Sequence, residues 1–353
     1  MRTCYINGLS SISHQNSLEN EFLDEITPVT NDVALDAIQP SYKEIISPAA
    51  GRRMAKGVKM GMFTALKSLE EAGVENPDSI IVGTGLGCME DSEKFLNAIL
   101  DNNEQFLTPT SFIQSTHNTV GGQIALALQC KGPNFTYVNG GVSFESGLID
   151  GKMQIDLEES NAVLVGCVDE IAKRTSYLYQ LADLVKMEEE QPIDILNTNT
   201  KGIIYGEGAQ FFVLENEKKD SSYAILEKVS IINTLEPNEV NHYLEQFLKS
   251  AGTTEDEIDL VILVIDGDVS FKDLYAGPQE LFKNTPQAYY KHLTGGYHTA
   301  SAFGFWVANQ VLKRQTLPEA VQLNKLTKKS YGKVLLYNQY RGKDHSFILL
   351  SKC

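Results

Sequence analysis

The stretch DLVILVIDGD, residues 259–268, places six consecutive aliphatic residues between aspartates. No polar residue alternates with them, so a strand here has no solvent face and needs packing partners on both sides. Other β-branched runs bounded by Gly, Asp or Asn follow the same rule: RTCYINGLSSI from residue 2, DSIIVGTGLG from 78, NFTYVNGG from 134, NAVLVGCVDE from 161 and AQFFVLENE from 209. Helical periodicity fills the gaps with MGMFTALKSLEEAG, GGQIALALQ and FESGLIDGKMQI. The plan repeats after residue 220 with YAILEKVSIIN, VNHYLEQFLKSAG, the opening stretch, QAYYK, SAFGFWVANQVL, KVLLYNQY and SFILLSK. The expectation is an α/β chain of two similar βαβαβαββ halves, residues 1–219 and 220–353, forming a layered α/β/α/β/α sandwich in which two sheets enclose central helices.

Composition bounds the function. The chain has 353 residues, 42% apolar, and a net charge of −16. That charge argues against nucleic acid or an anionic membrane as partner, because such binding needs clustered Lys and Arg. The one compact basic run, RRMAKGVK at 52–59, reads as the solvated face of a helix. No apolar run reaches the roughly 18 residues of a membrane span, and the first residues lack a secretory layout, so the cytoplasm is the expected location. Five widely spaced cysteines without a CxxC suggest neither disulfides nor zinc. The polar stretch EEEQPIDILNTNTKG, 188–202, reads as a surface excursion.

Several strings, in order along nearly the whole chain, resemble the β-ketoacyl synthases, condensing enzymes of the thiolase fold. They are RRMAKGVKMGMFTALKSLEEAG, IIVGTGLG, FIQSTHNTVGGQIALALQCKGPNFT, NAVLVGCVDE, YGEGAQFFVLE and KHLTGGYHTASAFG. The resemblance implies a cysteine at the N-terminus of a buried helix that takes an acyl group from a carrier protein. Two histidines then assist decarboxylation and stabilise the enolate oxygen. Here the nucleophile's place, nine residues after Gly132, is Gly141. The place of the first histidine is Asp266, whose charge opposes an enolate, and that of the second is Gly296, with His298 two residues on. The family's closing glycine-rich loop is reduced to NQYRGKDH, 338–345.

A scaffold that keeps its framework and loses all three side chains resembles the chain length factors of type II polyketide synthases. The resemblance implies a subunit inactive alone, paired in a heterodimer with a cysteine-bearing ketosynthase homologue and helping to set the length of the chain. The acyl carrier protein would act through that partner, whose active site would receive the phosphopantetheine arm; no cofactor is expected on this chain. The shortened segment 171–205 further resembles condensing systems that make aryl polyene or flexirubin-type pigments. Phe112, Thr116 and His117 are the expected tunnel or interface residues, and Lys291 is expected to pair with Asp266 or Glu207 in the vacated site. Ser143 lacks the symmetric setting of an exposed nucleophilic serine, and Cys130 and Cys167 read as packed thiols. Two alternatives stay open: an acyltransferase or hydrolase with non-standard residues such as His298, Asp266 or a displaced cysteine, and a homodimeric acyl-binding protein.

Overall fold

The computed structural model describes residues 2–18, 22–29, 34–187 and 193–353. Its strands are β1 (Tyr5–Ile12), β2 (Ala34–Leu35), β3 (Ser79–Gly83), β4 (Asn134–Tyr137), β5 (Ala162–Asp169), β6 (Tyr205–Gly206), β7 (Gly208–Glu215), β8 (Ala224–Asn233), β9 (Leu260–Leu263), β10 (Gln287–Ala288), β11 (Lys333–Tyr340) and β12 (Asp344–Ser351). The helices are α1 (Pro48–Gly51), α2 (Lys56–Ala72), α3 (Met89–Asp101), α4 (Pro109–Ser115), α5 (Thr119–Leu128), α6 (Ser143–Asp156), α7 (Lys173–Leu181), α8 (Val240–Ser250), α9 (Asp273–Leu281), α10 (Lys291–Thr294) and α11 (Ser301–Arg314).

The main sheet has the order β10-β9-β11-β12-β8-β1-β7-β5-β3-β4. Read outward from its middle, β1-β7-β5-β3-β4 and β8-β12-β11-β9-β10 are the same five-stranded pattern. In each half the three outer strands are parallel and the two inner ones antiparallel. The expected two sheets are thus joined into one hydrogen-bonded set, through the short pairing of Tyr5 with Ile225 and Ile6 with Ala224.

Burial explains the layers. Phe144 and Leu148 of α6 and Phe303, Phe305 and Trp306 of α11 share one core with Ile81, Val165 and Phe212 of one half and Ile262, Leu336 and Ile348 of the other. The opposite face of the first half is covered by α2 and α5. That of the second half is covered by α8 and α9. The run LVILVI is buried throughout because it lies between two such layers.

Two expectations need correction. Helix α2 is largely buried rather than a solvated face: Arg52 and Arg53 are exposed ahead of it, but Lys56 reaches in to pair with the buried Glu207 at 2.7 Å. The excursion 188–202 lies partly outside the described residues; from 193 onward it is anchored rather than free at the surface, with Asp194, Asn197, Asn199 and Lys201 exposed but Ile195 only 4% exposed. Its isoleucines, Ile193 and Ile195, join a small core with Leu35 and Ile204, and Leu196 packs against the core of the second half, which is why a polar-looking segment does not remain in solvent.

Candidate functional site

Strand β4 ends in a 3-10 turn at Gly140–Val142 that leads directly into α6. Gly140 has φ +53°, a left-handed conformation that favours glycine. Gly141 is buried, and a β-carbon there would overlap Cβ and Cγ of Tyr340, at the end of β11. The space a side chain at the expected nucleophile position would take is therefore filled by Tyr340. Ser143 is fully buried, with its hydroxyl donating to the Gly140 carbonyl (2.8 Å) and accepting from the Asn139 amide (2.8 Å), so it is committed to the turn.

Tyr340 connects this turn to His298. The Tyr340 hydroxyl lies 3.0 Å from His298 Nε2, and the two rings are 4.9 Å apart. His298 in turn lies against Gly85, where any β-carbon would overlap its imidazole. Burial pulls the His298 pKa down, against the raising effect of the nearby Asp169 carboxylate. The imidazole is thus held as a neutral hydrogen-bonding partner of a tyrosine.

Asp169, at the end of β5, fixes the His298 turn on the GTGLG turn. Its Oδ1 accepts from Thr84 Oγ1 (3.0 Å), the Gly85 amide (2.8 Å) and the Leu86 amide (3.2 Å). Its Oδ2 accepts from the Thr299 amide (3.0 Å) and hydroxyl (2.8 Å). Sequence reasoning missed both Asp169 and Tyr340. The available signal for Asp169 is a carboxylate closing an otherwise apolar strand, at the end of a parallel sheet where sites gather.

On the other side of the centre, Lys291 stands 3.8 Å from Asp266, both being almost fully buried. The separation is too long for a hydrogen bond. Burial pushes the Asp266 carboxyl up and the Lys291 ammonium down, each only partly offset by the other's charge. Asp266 Oδ1 also accepts from the Asp268 amide at 3.1 Å. Gly296 lies beside Lys291 and joins the GEGA strand: its amide donates to the Ile204 carbonyl (2.7 Å), and its carbonyl accepts from the Gly206 amide (3.1 Å). Glu145, fully buried on α6, accepts from Asn338 (3.1 Å) and Ser346 (2.7 Å), and burial pushes its carboxyl up. The Glu145 carboxylate raises the Lys291 pKa against burial, and the Lys291 charge helps to lower that of His298.

Of the two carboxylates expected for Lys291, Asp266 is the partner, and Glu207 is not. Glu207 instead receives Lys56 and the Ala37 and Ile171 amides. Phe112, Thr116 and His117 are not among the residues that these contacts join. Phe112 is 54% exposed on α4 and touches Phe95, Thr116 is half-buried at the end of that helix, and His117 is exposed over Gly87. Cys167 is fully buried near Gln210 and the Thr299 carbonyl, and burial pushes its thiol far up; Cys130 is half-buried. Among the described residues no group of three or more His, Cys, Asp or Glu could hold a metal, and no helix is long and apolar enough to cross a membrane.

Beside the centre, Glu170 accepts the Gly57 amide (2.6 Å) and the Glu90 amide (2.8 Å). Burial raises its pKa to about 7, against the lowering effect of those amides and of Lys56, with Glu90 adding repulsion. A raised carboxyl favours the native state below its unfolded value and loses that contribution as pH rises through about 7. Glu170→Gln is therefore expected to flatten the stability profile between pH 4.5 and 7, where the wild-type slope from this group is at most about 1.4 kcal/mol per pH unit. Urea midpoints measured across that range check the sign.

The β-ketoacyl synthase N-terminal domain model matches residues 14–220, more than half of the chain. The chain belongs to the β-ketoacyl synthase family. Among solved structures it is similar to the ishigamide ketosynthase/chain length factor, at TM-score 0.83 and 16% identity over 100% of this chain and 99% of that one. A β-ketoacyl synthase from Burkholderia phymatum STM815 superposes at TM-score 0.78 with 14% identity, covering 100% of both chains. The AntDE:AntF complex, a type II PKS acyl-carrier protein with its ketosynthase bound to the hexaketide, matches at TM-score 0.78 with 13% identity over 100% of both chains. At such identities the likeness is one of fold. No curated protein matches significantly.

Proposed function

We propose that this chain is the non-catalytic, chain length factor-like subunit of a type II condensing enzyme. It pairs with a cysteine-bearing ketosynthase homologue, and together they extend an acyl or polyketide chain delivered by an acyl carrier protein. The observation that carries the reading is the absence of a thiol and of two imidazoles where the family resemblance expects them: Gly141 lies within the segment that matches the family, and Asp266 and Gly296 lie in the second half of the same fold. The alternative of unusual acyl chemistry finds little support, because Cys167 and Ser143 are buried and engaged and His298 is bonded to Tyr340.

The need for a partner is supported by the edge of the sheet. β4 ends the strand order, and Phe135 within it and Val138 just after it are about half exposed, as is Met153 of the adjoining α6, with Leu126 of α5 more so. An apolar, open strand edge is a pairing surface rather than a stable outer boundary. The carrier and its phosphopantetheine arm would serve the partner's thiol, and this chain's negative charge suits it poorly for steering an acidic carrier protein. A pigment-type polyene product of the aryl polyene or flexirubin kind is the finer reading, resting on the short segment 171–205.

The deciding experiment is gentle purification of the tagged chain from its native cells, followed by native mass spectrometry. The expected result is an equimolar complex with a homologue carrying the Cys-His-His set, with acyl label on the partner only; a homodimer alone, or label on this chain, overturns the proposal. Within the reconstituted complex, Phe112→Ala is expected to shift the product distribution to longer chains by removing bulk from the tunnel wall. Product lengths read by mass spectrometry check this.

A further inference from the structure

We infer that Tyr340 is a built-in plug, so that the vacated centre is closed by this chain's own residues and holds neither an acyl group nor a pantetheine arm. The inference rests on the family reading, which identifies the centre, but goes beyond loss of the nucleophile. The overlap at Gly141 involves Cβ and Cγ of Tyr340, atoms that ring rotation about χ2 does not remove. Tyr340 is also held in place: its backbone pairs with Asp344 across β11 and β12, and its hydroxyl meets His298. Arg341 extends the cover, with its guanidinium 5.7 Å from the Tyr340 ring and its Nη2 at 3.5 Å from the Tyr205 hydroxyl. Tyr205 stacks on Tyr179 at 4.6 Å.

The Asp266 side is closed by a different segment. A β-carbon at Gly267, where φ is +82°, would lie 2.8 Å from Ile195 Cβ, so the two segments touch at backbone range. The Gly202 amide donates to Asp268 Oδ2 (3.0 Å) and the Val269 amide to the Thr200 carbonyl (3.2 Å), fastening residues 200–202 to the Asp266 loop. The cavity left there, bounded by Ile195, Asp266, Gly267 and Tyr275, is about 60 Å³. That is room for about two waters, whereas small-molecule sites usually offer roughly 300–1,000 Å³. An acyl chain in the complex must therefore lie in the partner or between the subunits, one delivered chain per pair.

The test restores a thiol with and without the plug in the full-length chain. Gly141→Cys and the double variant Gly141→Cys/Tyr340→Gly are treated with iodoacetamide, and alkylation at position 141 is followed by peptide mass spectrometry, which separates it from the native cysteines. Glycine is used at 340 because alanine would keep the overlapping Cβ. The single variant is expected to react at least ~100-fold more slowly than the double, as a thiol reached only through local opening, and to melt at a lower temperature than the double. Alkylation of the two at similar rates, without loss of melting temperature in the single variant, overturns the plug. Should Gly141→Cys fail to fold, Tyr340→Gly alone is incubated with p-cresol, the excised side chain. A rise in melting temperature absent from wild type supports a filled pocket, and no rise overturns it. A freely reactive thiol at position 141, in a Gly141→Cys chain that still co-purifies with a ketosynthase, would remove the plug and leave the pairing intact.

Discussion

Replacing Asp169 by alanine is expected to destabilise the chain by about 4 kcal/mol, at the upper end of what one substitution does. The carboxylate is 3% exposed and takes five hydrogen bonds from two separate turns, three of them from backbone amides. Alanine leaves those donors buried without an acceptor, each at about 1–3 kcal/mol and less than additively, because relaxation and water recover a part. Asp169→Asn separates charge from geometry. It keeps one acceptor oxygen, so it can serve either the Gly85 turn or the Thr299 turn but presents amide hydrogens to the other, and should lose about half as much. Urea denaturation followed by circular dichroism measures both. Alanine and asparagine variants within about 0.5 kcal/mol of wild type would show that Asp169 does not hold the turns together. His298 immediately precedes Thr299, so the alanine variant should also loosen the His298–Tyr340 contact.

The strands were legible because the sheet is covered on both faces, so apolar runs such as LVILVI and AVLVG had no polar alternation to confuse them. Both halves show the expected βαβαβαββ order for the same reason. Helices α3, α4 and α7 were not picked out. Their apolar residues Leu96, Leu100, Phe112, Ile113, Leu178 and Leu181 are more than half exposed, so their pattern does not describe this chain's own core. Helix α9 carries Pro278 within it, a residue that normally argues against a helix interior.

At the candidate site, counting along the sequence led to Gly141, Asp266 and Gly296, and charge logic offered Asp266 as one of two partners for Lys291. Tyr340 was invisible to that reasoning: it meets Gly141 across 199 residues, through the turn between two halves that only the folded sheet brings together. The same limit applies to Ile195. Two isoleucines in a polar stretch carry no periodic signal; Leu35 and Ile204 pack against them, and the Asp266 loop meets Ile195 from the other side.

Placing charge on the open sheet edge should abolish pairing while leaving the fold intact. In Phe135→Asp/Val138→Asp the altered side chains are 48% and 50% exposed in this chain, so its own stability should change by no more than about 1 kcal/mol. In a complex the same positions would be desolvated, and two carboxylates facing an apolar partner leave buried charges without counter-ions. The dissociation constant should then rise at least ~100-fold, the effect of losing one central interface residue of about 3 kcal/mol. The chain's net charge of −16 does nothing to relieve the added repulsion. Leu326→Asp supplies the control: Leu326 is 40% exposed, and its neighbour Asn324 bonds to Gln287 of β10, at the opposite end of the strand order. Sedimentation of the co-expressed chains should show a heterodimer for wild type and Leu326→Asp, and separate chains for the double variant. An intact heterodimer with both edge charges in place would remove β4 from the interface and leave only the exposed faces of α3, α4 and α7, where Phe112 lies, to form it.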